Sequence, residues 1–326
     1  GTPEGLRAQL DIIRRDAVIP VLPYASITVQ QRGAGELADY RALAPLCFGF
    51  SDDGKGIQEE GLMLEAMAAI KAAGGFLAAH VEDERLLQGG YIHQGRYAKA
   101  HGHAGICSES EWGQLKRDLA LVRRTGCRYH MCHISCKESV ALIRAAKAEG
   151  LPVTCEVGPH YLLLCEDDLQ EDGRFKMNPP LRGREDKAAL IEGLLDGTID
   201  MIATDHAPHS AEEKAKGLAG SAMGIAGLET AFPVLYTGLV EPGALSLEKL
   251  IALMALAPRR AFPQLTGGDI AVGGRADLCV ADLNQSFTIN PQAFESKGRA
   301  TPFAGWQVRG AVQMTISGGA IVWQRD

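Results

Sequence analysis

Imidazole and carboxylate side chains recur in this sequence directly after short apolar runs. Asp52 and Asp53 follow Cys47–Phe50, His80 follows Phe76–Ala79, and His133 follows Arg128–Cys132. His160 comes just after Val153–Val157, and Asp205 with His206 follows Met201–Thr204. One His or Asp at such a place is more often structural, the Asp as a helix N-cap. Asp53, His80, His133 and Asp205 at four equivalent places instead form the donor set that holds hydrolytic divalent metals such as zinc. Cys132 and Cys136 flank His133, but no second Cys pair follows, so both read as buried neutral thiols. His101 and His103 offer a His-x-His pair in a Gly-rich polar loop that lacks the rigid strand end two adjacent ligands need, and with His93 they read as solvated loop histidines. His160 and His206 read as packed residues.

The elements that must position these groups alternate. Leu6, Leu10 and Ile13 recur at helical spacing, and Val18–Tyr24 is an apolar run of strand length. Strand-like Cys47–Asp52 is followed by a helical stripe of Leu62, Met63, Ala66, Met67 and Ile70 that closes at Gly74 and Gly75. Further strand-like runs at Phe76–His80, Arg128–Ile134, Val153–Val157 and Met201–Thr204 are separated by helical sequence ending at Gly126, Gly150 and Gly197. Alternation of this kind predicts parallel strands joined by right-handed crossovers. The polar residues sit at the C-terminal ends of several different strands, where a barrel gathers its site, and no Gly-rich phosphate loop marks a doubly wound sheet. The fold expected is an α/β TIM (β/α)8 barrel, here showing six strands and lacking the first two. After the helical region near Leu247–Leu256 the pattern switches to short β runs at Ala276–Ala281, Gln313–Ile316 and Ala320–Trp323. The expected division is therefore 1–265 as a barrel incomplete at its N-terminus and 266–326 as a small β-sandwich part packed on it, since so short a segment is marginal as an independent core.

Composition narrows the partners. Lys plus Arg is 33 and Asp plus Glu is 40, giving a net charge of −7, and basic residues are scattered without the positive stripe that nucleic acid requires. The basic group Lys116, Arg117, Arg123 and Arg124 reads as a solvated helix face. No apolar run approaches the roughly 18 residues of a membrane span. Eight scattered cysteines favour free thiols in a reducing, cytoplasmic setting. The chain opens Gly1-Thr2-Pro3 without an initiator Met and enters a helix at once, so it reads as the middle of something longer.

Seven segments carry a family resemblance: Leu22–Thr28, Phe50-Ser51-Asp52-Asp53-Gly54, Ala79–Asp83, Cys132-His133-Ile134-Ser135, Lys176–Leu181, Ala203-Thr204-Asp205-His206-Ala207-Pro208-His209 and Gly227–Phe232. Together they resemble the bacterial class I dihydroorotases of the amidohydrolase superfamily. Hydantoinases and allantoinases are expected to carry a carboxylated Lys where this chain has its Asp pair, and no Lys occupies Cys47–Phe50. The resemblance implies a zinc-dependent cyclic amidohydrolase with two Zn2+ per complete site, interconverting N-carbamoyl-L-aspartate and dihydroorotate in pyrimidine synthesis. By position, Asp53 is similar to the carboxylate that bridges the metals, with Asp52 the alternative. His80 and His133 look like imidazole ligands of one metal, and Asp205 like both a ligand of the other and the general acid/base. Asn178, His209, Met223 and Gly224 resemble substrate-contacting positions.

The same family carries a His-x-His pair and an Arg upstream of the first matching segment, and neither precedes residue 1. Two metal ligands and a substrate-gripping Arg are thus absent from this sequence, so the chain itself is expected to be inactive or nearly so. A homodimer is implied by the family. A second reading is a non-catalytic dihydroorotase-like subunit supporting an aspartate transcarbamoylase, against which the retention of Asp53, His80, His133 and Asp205 counts. A third is a hydantoinase or allantoinase.

Overall fold

The structure is a computed structural model that describes residues 1–265 and 270–325. The chain divides into two units, Gly1–Gln88 with Cys107–Glu156, and Gly89–Ile106 with Val157–Asp326.

In the first unit, apolar runs too short to serve as helices pair edge to edge. Leu77–Ala79 lies parallel to Tyr129–Met131, with Leu77 opposite Tyr129 and Ala79 opposite Met131. Tyr129–Met131 in turn lies parallel to the strand that begins at Val153, in the register Tyr129 to Val153 and Met131 to Cys155. On the other side Phe50 bridges Leu77 and Ala25 bridges Phe50, both in parallel. Parallel order through 25, 50, 77, 129 and 153 is what the alternating sequence predicts. The expected strand at Val18–Tyr24 contracts to the single bridge at Ala25, because Pro20 and Pro23 have no N–H to give a ladder. What remains is Pro23 O accepting from Phe48 N at 2.8 Å and Ala25 N donating to Gly49 O at 2.9 Å. Val18, Ile19, Val21 and Leu22 are exposed.

Three amphipathic helices cover this sheet. Glu60–Ala72 buries Met63, Ala66, Met67 and Ile70, and its first turn is closed by Glu59, whose carboxylate accepts from Gly61 N and Leu62 N. Glu109–Thr125 buries Leu115, Leu119 and Val122 and stops at Gly126, whose φ of 63° is the left-handed cap conformation. Lys137–Ala148 buries Val140 and Ile143. Lys116, Arg123 and Arg124 of the expected basic face are exposed, and Arg117 is the exception. Arg117 turns inward to Asp118 and to the carbonyls of Ile57 and Gln58, Arg123 pairs with Glu149, and Arg124 with Glu60.

The second unit holds a short parallel pair, Ile92–His93 with Gly105–Ile106. The helix Arg184–Asp196 ends at Gly197 in the left-handed region. A short strand, Met201–Ile202, follows, and Ala203 N donates to Val157 O at 3.2 Å. Helical sequence from Ala231 to Ala261 leads to an antiparallel sheet of Leu278–Thr288, Gln307–Ser317 and Ala320–Gln324. Each of the three predicted β runs overlaps one of these strands: Ala276–Ala281 the start of the first, Gln313–Ile316 the end of the second and Ala320–Trp323 nearly all of the third. The sheet packs on the Ala231–Val240 helix, where Arg309 N donates to Thr237 Oγ1 at 2.8 Å. The expected boundary at 265/266 touches residues 266–269, which lie outside the described residues.

Candidate metal centre

The two adjacent aspartates part company. Asp52 is buried, and its carboxylate accepts from Ile27 N at 2.7 Å, Thr28 N at 3.1 Å, Gly33 N at 3.2 Å and the Thr28 hydroxyl. Those donors leave it no open lone pair toward a site, and they tie the loop after Ala25 to the loop after Phe50. Asp53 is exposed and turns its carboxylate to His80 and His133, with one donor atom from each residue all within 4.8 Å of one another.

Both imidazoles are buried. His80 Nδ1 lies 3.0 Å from His133 Nε2, and the rings meet edge to face at a centroid separation of 4.8 Å. Two imidazole nitrogens at that distance need a proton or a shared cation between them. Glu82 Oε2 lies 3.7 Å from His80 Nε2, beyond direct hydrogen bonding, and places a carboxylate charge beside the ring. His133 is set by its backbone. Its φ of 37° lies in the left-handed region that a side chain with a Cβ rarely adopts. The loop that enforces this is clamped by Glu111, a buried carboxylate of the Glu109–Thr125 helix, which accepts from Ser135 N at 3.1 Å, Cys136 N at 3.3 Å and the Ser135 hydroxyl. The Nδ1 of His133 is buried with no hydrogen-bond partner among the described residues. A carboxylate and two imidazoles, converging and pre-oriented, fit a divalent cation of the zinc class.

In the second unit, Asp205 follows the short strand Met201–Ile202 and also has a positive φ, 49°. His206 Nδ1 accepts from Gly227 N at 3.1 Å, so this imidazole braces the turn after Ala226. His209 Nε2 donates to Met223 O at 2.7 Å, and Gly224 N donates to Lys176 O at 3.0 Å. Gly224 has φ 132°, and a Cβ there would sit 2.5 Å from Ala207 O, so only glycine fits. Asn178 precedes a cis Pro179. The residue that sequence reasoning missed is Lys214. Its Nζ is buried and donates to the carbonyls of Lys176 at 3.0 Å, Ala222 at 2.7 Å and Gly224 at 2.7 Å, and burial pushes its pKa down to about 8. Thus His209 and Lys214 between them pin the carbonyls of Ala222, Met223 and Gly224. A lysine four residues past Ser210 carries no motif of its own, and the Glu111 clamp is equally silent, because its partners are 24 and 25 residues away.

His160 is buried against Tyr161, as expected of a packed residue. His103 bonds Tyr91 and Glu171, while His101 stacks on Tyr97. Cys132 and Cys136 are both unbridged, and Cys136 is buried beside Glu111 and Ser139. No helix among the described residues is long and apolar enough to cross a membrane.

Comparison with known proteins gives the family. A family model described as dihydro-orotase-like matches residues 3–139. The dihydroorotase of Bacillus caldolyticus is 50% identical over 315 residues, covering 96% of this chain and 73% of its own length. That of Shouchella clausii is 51% identical over 324 residues, covering 98% and 75%. Among solved structures, the L-hydantoinase (dihydropyrimidinase) of Arthrobacter aurescens superposes with a TM-score of 0.87 at 28% identity, covering 99% of this chain and 74% of that one. A dihydropyrimidinase from Brevibacillus agri gives 0.80 at 21%, covering 98% and 74%, a likeness of fold. These neighbours are TIM-barrel amidohydrolases, a fold that accounts for the parallel order of the short strands. With half its residues identical across nearly its whole length to curated dihydroorotases, the chain belongs to the dihydroorotase family of cyclic amidohydrolases.

Proposed function

We propose that the residues of this chain serve the ring-amide chemistry of a dihydroorotase, the reversible cyclisation of N-carbamoyl-L-aspartate to (S)-dihydroorotate and water. The observation that carries this reading is the convergence of Asp53, His80 and His133 within 4.8 Å in a family whose chemistry needs such donors. A divalent cation held there supplies Lewis acidity toward the ring carbonyl. The cation class is zinc, with two ions per complete site and Asp205 contributing to the second. Asp53, His80 and His133 would hold it, with the Glu82 carboxylate adding negative charge beside His80. In the hydrolytic direction the Asp205 carboxylate takes a proton from the attacking water and gives it to the departing ring nitrogen; in cyclisation it returns the proton to the departing oxygen. Asn178, His209 and the Met223–Gly224 backbone orient the substrate. The wider reading is a cytoplasmic homodimer, able to associate with an aspartate transcarbamoylase, with 1–265 as barrel and 266–326 as the small β part.

The likeness to L-hydantoinase favours one competing reading, a hydantoinase or allantoinase. An identity of 50% to dihydroorotases against 28% to that hydantoinase counts for the first. Ranking dihydroorotate, hydantoin and allantoin on the zinc-loaded chain tests it, by rate or, where turnover is slow, by calorimetric binding. Dihydroorotate is expected first by at least tenfold; hydantoin or allantoin first would overturn the proposal in favour of the alternative.

A further inference from the structure

The loop that Asp52 closes is strained at its tip, and the tip lies against Asp53. The Asp52 carboxylate gathers Ile27 N, Thr28 N and Gly33 N, and the Thr28 hydroxyl oxygen accepts from Arg32 N and Gly33 N at 3.0 Å each. Thr28 also bridges Leu37 in antiparallel fashion, so the chain from 28 to 37 folds back on itself. Between these ties Gln30 has φ 63° and Gln31 φ 57°. Two consecutive side-chain-bearing residues in the left-handed region are unfavourable, and such places usually fall to Gly, Asn or Asp. The other non-glycine residues with positive φ among those described are Gln88, His133 and Asp205, so two of the three belong to the candidate site.

The two glutamines use their side chains differently. Gln30 acts locally, its Oε1 accepting from the Arg32 guanidinium. Gln31 reaches a residue 22 positions away, where its Nε2 donates to Asp53 O at 3.0 Å. That carbonyl belongs to a tight turn. Lys55 N donates to Asp52 O at 2.8 Å, Gly54 has φ 76° and Asp53 has no positive φ, which makes a type II turn with Asp53 as its second residue. Types I and II differ by a flip of the peptide between the two central residues, here the peptide that carries Asp53 O. The bond that closes the turn is common to both types and does not choose between them. The Gln31 amide, by taking that carbonyl, does. Asp53 is exposed, so side-chain packing does not fix it, and a ligand in that position depends on how its backbone is held.

We infer that Gln31 is the positioning residue of Asp53: set in the left-handed region by the Asp52-clamped loop, its amide takes the Asp53 carbonyl and keeps the carboxylate turned to His80 and His133. The buried ties of Asp52 and Thr28 hold the strain, and what the strained backbone achieves is the placement of one amide. The adjacent aspartates are thereby linked in purpose, since Asp52 shapes the loop whose tip steadies Asp53. This role rests on the reading of Asp53, His80 and His133 as a metal centre. Gln31 itself lies outside the segments that carry the family resemblance.

Zinc competition, cobalt(II) spectroscopy and urea unfolding of the chelator-stripped chain test it in Q31G, Q31A and Q30G. Glycine relieves the left-handed backbone, so Q31G is expected to match or exceed the urea midpoint of the unaltered chain while binding zinc about tenfold more weakly. Q31A keeps the strain and loses the amide, and the same loss of affinity is expected there. Q30G relieves the neighbouring strain without removing the Asp53 tie, and its zinc affinity is expected to stay unchanged. The visible bands of bound cobalt are expected to move in Q31G toward those of D53N, a change that a residue merely stabilising the loop would not produce. Unchanged zinc affinity and cobalt bands in Q31G and Q31A, with both altered in D53N, would overturn the role of Gln31 alone. Unchanged affinity and bands in D53N would overturn the metal-centre reading and the role of Gln31 with it.

Discussion

Asp52 and Asp53 are neighbours with opposite jobs, and the difference is made by burial and donors. Asp52 spends its lone pairs on three backbone N–H groups and the Thr28 hydroxyl, whereas Asp53 keeps its carboxylate for His80 and His133. Removing the buried charge orphans several donors at once, so D52A is expected to lower the unfolding free energy by about 3 kcal/mol, read by urea denaturation. D53N, at an exposed position, is expected to leave stability within about 0.5 kcal/mol while weakening zinc binding at least tenfold, read by competition with a chromogenic chelator. Equal stability loss in both variants would contradict the division of labour. The Asp pair was legible in the sequence as a motif. Which member keeps its carboxylate open toward the two imidazoles was not, because the answer lies in the backbone of Ile27, Thr28 and Gly33, 19 to 25 residues away.

Elements act on the site through two clamps of buried charge. Glu111 fixes the turn that puts His133 at φ 37°, an unfavourable conformation that something must hold. E111Q is expected to lower zinc affinity about tenfold to a hundredfold without touching a ligand, as outer partners of metal ligands do. Unchanged affinity would show that the turn holds itself. Lys214 clamps the Ala222–Gly224 loop, and its sign can be worked out. Its folded pKa, about 8, lies below the ordinary 10.5, so between these values the unfolded chain binds more protons and this group's contribution to stability rises with pH. The stability difference between the unaltered chain and K214M is therefore expected to grow from pH 8 to pH 10; a flat or falling difference would contradict a charged, desolvated Lys214 at neutral pH. The helices were legible at this scale, since their apolar stripes at Met63–Ile70 and Leu115–Val122 are strongly periodic. The Val18–Tyr24 run was misread as a strand because apolarity outweighed its two prolines.

At the scale of the molecule, strict alternation of short apolar runs and amphipathic helices made the parallel α/β architecture readable. The structure adds what periodicity cannot carry, the order and register in which the strands pair. The chain spans 73–75% of the length of the dihydroorotases it matches, so the donors it contains are best tested by what they bind. Chelation is expected to destabilise the chain, and restoring zinc at a hundred times its dissociation constant to recover about 2.7 kcal/mol in urea unfolding per site. The most direct measurement is the zinc content of the chain and of the triple variant D53N/H80N/H133N, by atomic absorption after equilibrium dialysis at matched free zinc. The account predicts that the variant binds one zinc fewer while keeping its circular dichroism. Equal zinc content and affinity in the two proteins would contradict it.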